Sequence, residues 1–188
     1  MDIETIALVI GALAVGAGIA WAFLTWRRSS HLKERFGPEY RRTLETEGDR
    51  RAAEQELDRR ERRVENLEIR PLRPDERDRF VRDWDRTQAR FVDDPAGAVL
   101  EADRLVTEVM RTRGYPVADF EQRVADVSVD HADMVEHYRA ARGVARAAAE
   151  GTASTEDIRR AVTHYRALFV ELLGIGPVVG SDRMEAVR

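Results

Sequence analysis

Cysteine is absent from the chain, which removes disulfide frameworks, thiolate zinc sites, iron-sulfur clusters and cysteine nucleophiles together. Aromatic residues are scarce at 7%, while charged residues reach 35%, a balance that suits helices with solvated faces better than sandwiches or barrels. No stretch alternates with period two for long enough to build a sheet. The expected fold class is therefore all-α. Lysine is almost missing as well, Lys33 being the single one among 31 basic residues.

Catalytic signatures are missing too. HExxH, GxSxG, the P-loop pattern and the dinucleotide-binding glycine pattern do not occur in the sequence. A ferritin-like carboxylate site needs Glu-x-x-His on two helices. Here Asp133 stands four residues before His137 and Arg160 four before His164, so the pattern fails on one side. His131 and His137, six apart, do not share a helix face. The reading from the residues is that the chain is not an enzyme, with no catalytic residue, metal or cofactor. From Gly114 onward 9 basic residues face 12 acidic ones, a net of -3 that repels phosphate, so nucleic acid is not expected as a partner.

One long run lacks charge altogether. Thr5 to Trp26 reads TIALVIGALAVGAGIAWAFLTW, 22 residues. As a helix it would span ~33 Å against a hydrocarbon core of ~30 Å, which predicts a transmembrane anchor over residues 1–28 and the lipid bilayer as a partner. A cleaved signal peptide is the rival reading, but it wants positive charge before the apolar stretch, whereas Asp2 and Glu4 precede this one. Arg27, Arg28, Lys33, Arg35, Arg41 and Arg42 all follow it, so a single-pass protein is expected in the cell membrane, N-terminus outside and distal domain cytoplasmic. Small residues recur every fourth position at Ala12, Gly16 and Ala20 and at Ala14, Gly18 and Ala22, the spacing through which such helices form homo-oligomers.

Beyond the span, residues 29–70 read as a long charged helical spacer. Gly37-Pro38 breaks the chain, Gly48-Asp49 is a second point of interruption, and Tyr40, Leu44, Ala53, Leu57, Val64 and Leu67 form a thin apolar stripe. A dimeric coiled coil is the alternative, although the heptads are incomplete. Arg70-Pro71-Leu72-Arg73-Pro74 is the clearest linker, and an antiparallel helical bundle of about five helices is expected over 71–174. Its starts are marked by Pro74, Asp94-Pro95, Asp130 as a cap, and the box Ser154-Thr155-Glu156-Asp157; its breaks fall at Gly114, Gly151 and Gly174. Residues 175–188 read as a flexible tail.

One motif is duplicated. Val-x-His-Tyr-Arg-Ala occurs at Val135 to Ala140 and at Val162 to Ala167. The midpoint between Tyr138 and Tyr165 falls at the Gly151-Thr152 break, so an antiparallel hairpin would bring both tyrosines to one level, ~20 Å from the turn. That register predicts packed tyrosines with outward-reaching hydroxyls, His137 and His164 at the margin of the stripe, and Arg139 and Arg166 nearer solvent. The same four side chains, His137, Tyr138, His164 and Tyr165, are the candidates for a ligand site.

The stretches HLKERFGPEYRRTLE, RRAAEQELDRRERR, RFVDDPAGAVLEADRLVTEVMRTRGYP, FEQRVADVSVDH and HYRALFVELL resemble an uncharacterised family of bacterial proteins, often described only as secreted or membrane proteins, each with an N-terminal apolar segment. The resemblance covers most of the chain after the apolar run and implies no activity, ligand or catalytic residue. The function expected is that of a membrane-anchored helical interaction or scaffold protein with a protein partner. The alternative is a small-molecule or cofactor-binding bundle using the His137/Tyr138 and His164/Tyr165 layers.

Overall fold

A computed structural model describes the backbone from residue 3 to residue 175, and side chains from residue 11 onward apart from residues 12 and 14. Among the described residues there are seven helices and no strand: α1 (Ile3–Glu47), α2 (Arg50–Glu65), α3 (Pro74–Arg90), α4 (Pro95–Arg113), α5 (Phe120–Asp130), α6 (Ala132–Ala149) and α7 (Thr155–Leu173). The described chain is all-helical, as composition and periodicity lead one to expect. The tail expected over 175–188 lies, after Ile175, outside the described residues. Two compact units divide at Arg59 and Arg60, inside α2 and upstream of the proline-rich linker.

In the first unit, α1 is interrupted at Gly37, whose φ of 44 and ψ of -118 are open to a residue without Cβ, and Pro38 follows with no amide to donate. Gly48, at φ 69, ends it, and Asp49 then caps α2 by accepting the Ala52 amide at 3.0 Å. The segment is less solvated than its composition suggests, because Leu32, Phe36, Tyr40, Ala53 and Leu57 are all buried. Polar contacts tie the two helices: the Tyr40 hydroxyl donates to Glu54 at 3.0 Å, Arg50 donates to Ser29 at 2.6 Å, and Arg28 pairs with Asp58. Among the described residues no helix is long and apolar enough to cross a membrane. The run expected to do so begins at Thr5, and its side chains at 5–10, 12 and 14 lie outside the described residues.

The second unit holds the bundle. Helix α4 packs against α3, α6 and α7, and α6 packs against α5 and α7, so α4 and the α6–α7 hairpin form the centre. Val99, Ala102, Leu105, Val106, Val109 and Met110 give α4 its buried face, and Trp84 of α3 stacks on Phe169 of α7 with ring centroids 4.7 Å apart. The expected caps hold at Asp94, which accepts the Gly97 amide at 2.8 Å, and at Ser154, which accepts the Asp157 amide at 3.1 Å. The cap expected at Asp130 does not form. Helices α5 and α6 meet at His131 with no intervening loop, and the Asp130 carboxylate accepts the Tyr115 hydroxyl at 3.2 Å instead. The Arg70–Pro74 stretch is anchored: the Arg70 amide donates to the Arg113 carbonyl at 2.8 Å, its guanidinium makes two 2.8 Å bonds to Glu76, and Leu72 joins the bundle core.

Candidate functional site

The duplicated motif lands on α6 and α7 in the register its spacing implies. Tyr138 and Tyr165 are fully buried and meet edge to face, with centroids 6.2 Å apart and planes at 69°. His137 and His164 lie at the same level with rings stacked 4.6 Å apart at 20°. All four candidates are thus brought together.

The hydroxyls do not reach outward as expected. Tyr165 donates to Asp103 of α4 at 2.8 Å, and Tyr138 accepts from Arg123 of α5 at 2.9 Å. The physical reason is that α4 and α5 cover this layer, so a hydroxyl here must find its partner inside. Asp103 also pairs with Arg142 of α6 through its other oxygen. Arg123, 7% exposed, donates further to Thr107 at 2.8 Å and to the Val117 carbonyl at 2.8 Å. Its direct partners are neutral oxygens. Burial raises the ionisation of both tyrosines above the ordinary phenol range, and for Tyr165 the adjacent Asp103 carboxylate adds to the rise. Both phenols stay protonated at neutral pH and serve as fixed hydrogen-bonding groups.

The flanking residues divide. Arg166 is exposed as expected, whereas the Arg139 side chain is only 16% exposed and pairs with Glu136 at 3.2 Å. His137 is exposed and His164 half-buried. His164 is held below the usual imidazole range, first by burial, then by His137 and Arg160.

Asp103, Thr107, Arg123 and Arg142 were not among the residues expected from sequence. Arg123 carried a signal: it lies three after Phe120 and four before Val127, on the apolar face of α5. Asp103 carried only the weaker one of flanking the Val99, Ala102, Val106 stripe.

A surface cleft of about 250 Å³ lies elsewhere, lined by Asp83, Arg86, Thr87, Arg90, Glu101 and Arg104 on α3 and α4. Its arginines are matched by carboxylates, Arg86 by Asp83, Arg90 by Asp94 and Arg104 by Glu101, so it offers balanced charge. Among the described residues no group of three or more His, Asp or Glu is placed to hold a metal ion. In comparison with known proteins, the chain matches no family model, no curated protein and no solved structure.

Proposed function

We propose that the chain is a single-pass, membrane-anchored helical interaction protein, with its N-terminus outside and its bundle presented in the cytoplasm to a protein partner. The observation that carries this is the surface of α1 ahead of Arg27. Leu13, Val15, Ile19, Trp21, Phe23, Leu24 and Trp26 are 55% to 68% exposed, and these positions run around the helix rather than along one stripe. So much contiguous apolar surface is rarely left in water. Lipid is the partner that matches it, with Trp21, Trp26, Arg27 and Arg28 at the interfacial end.

Washing membranes with alkaline carbonate tests the anchor: the full chain is expected to stay in the pellet. Val15→Arg combined with Ile19→Arg, each costing about 2.5–3.5 kcal/mol near a span centre, is expected to move it to the supernatant. Release of the unaltered protein would sink the proposal. Protease added outside spheroplasts should spare the bundle, and its digestion would overturn the orientation. The proposal includes self-association through Ala12, Gly16 and Ala20 and through Ala14, Gly18 and Ala22, so Gly16→Leu with Gly18→Leu is expected to abolish crosslinked oligomers.

The ligand-binding alternative is the weaker one, because Asp103 and Arg123 already occupy the tyrosine hydroxyls that would have faced a ligand.

A further inference from the structure

The fold accounts for the tyrosines of the duplicated motif but not for its histidines. Among the described residues neither the His137 ring nor the His164 ring takes part in a hydrogen bond. They nonetheless stand face to face across the α6–α7 hairpin, 4.6 Å between centroids. Two imidazoles from different helices, at one level, open to solvent on the His137 side, form a pair of nitrogen donors with no structural employment.

We infer that His137 and His164 form a two-imidazole site on the hairpin surface that takes a divalent transition cation of the Cu²⁺ or Ni²⁺ class. Imidazole suits these ions, and metal-nitrogen bonds of about 2 Å let two rings at this separation share one ion once each turns about its outer torsion. The rings stack at 20°, and His137, being exposed, has room to turn. Structural zinc calls for four protein ligands. Only two are present here, so the ion keeps solvent in its remaining positions, which tetragonal Cu²⁺ or Ni²⁺ tolerates.

The electrostatic surroundings permit a cation. Arg160, whose charge reaches His164, is paired with Asp157, and Arg139 beside Tyr138 is paired with Glu136.

The test is a titration of the full, untagged chain in detergent micelles with Cu²⁺ alone, in a non-coordinating buffer at pH 7.5, read by electron paramagnetic resonance and by competition with a chromophoric chelator. One ion per chain is expected, with hyperfine structure from two equatorial nitrogens. His137→Ala and His164→Ala are each expected to leave one nitrogen and to weaken binding about tenfold or more, since the second ligand acts intramolecularly. His164→Asn, which keeps a polar group in the half-buried position, should behave as His164→Ala does. Tyr138→Phe should leave the spectrum unchanged. Unchanged affinity and an unchanged two-nitrogen spectrum after either histidine substitution would assign the ion to His31, His131 or the terminal amine and overturn the inference; so would the absence of a stoichiometric site.

Discussion

Asp103 is a single carboxylate asked to satisfy two groups from two helices, the Tyr165 hydroxyl of α7 and the Arg142 guanidinium of α6. Hydrogen bonds to a charged group contribute about 1.5–3 kcal/mol each, and a partner left unpaired in the interior adds its desolvation cost. Tyr165→Phe is therefore expected to lower stability by about 1.5–3 kcal/mol, and Asp103→Ala by more, in urea unfolding of the full chain followed by circular dichroism. The double variant should lose less than the sum of the two, because both remove the same bond. A loss within error for Tyr165→Phe would mean that the hydroxyl finds water instead. Gly114 shows a different constraint. Its φ is 105, and a Cβ built there would lie 2.5 Å from the Glu68 carbonyl oxygen, a backbone atom. Gly114→Ala is expected to cost about 1–3 kcal/mol, seen as a lowered Tm, and a neutral result would show that the Glu68 segment can withdraw.

Helix boundaries were legible at Asp94 and Ser154, where a local chemical device sets them, but not at Asp119, whose carboxylate likewise caps α5 through the Gln122 amide. Asp94 and Ser154 cap because their side-chain oxygens reach amides three residues on, a contact decided within one turn. Ser154→Ala is expected to cost about 1 kcal/mol in the same unfolding measurement, and an unchanged midpoint would show that the cap is redundant. The junction of α5 and α6 was not legible. Asp130 has the composition of a cap, yet its carboxylate bonds to Tyr115, a residue that sequence leaves distant. The charged segment after the apolar run shows the same limit from the other side: its stripe of Tyr40, Ala53 and Leu57 was read correctly, but Leu32 and Phe36 were not foreseen as buried.

For the molecule as a whole, His131 and Glu76 are two of the groups that shape the acid side of its stability. His131, at the α5–α6 junction, has a side chain only 10% exposed and faces Glu171 of α7 at 3.3 Å, with Arg113 and Asp130 also near. Burial, then Arg113, holds its ionisation below the usual imidazole range, while Glu171 and Asp130 oppose this. The folded chain thus binds this proton less readily than the unfolded one. Stability is complete above the unfolded value of about 6.5 and declines as pH falls below it. Glu76 acts at lower pH. The Arg70 guanidinium and the Arg73 amide bring its carboxyl down to about 2, so its contribution is present above the unfolded value of 4.5 and is lost as pH falls from there toward 2. Unfolding measured from pH 7.5 to pH 3 should show a first decline beginning near 6.5. His131→Gln should reduce that first decline, to which His164 also contributes, and leave the second, and a decline unchanged by the substitution would move its origin elsewhere.

The all-helical class, the breaks at Gly37, Gly48 and Gly114, and the level at which Tyr138 meets Tyr165 all follow from local rules, because helical rise and turn chemistry act over a few residues and add up along the chain. The direction of the tyrosine hydroxyls, the burial of Arg123 and the role of Asp130 do not. Each depends on which third helix lies over a given face, and that is settled when α4 and α5 close on the α6–α7 hairpin and the buried tyrosine hydroxyls take their partners there.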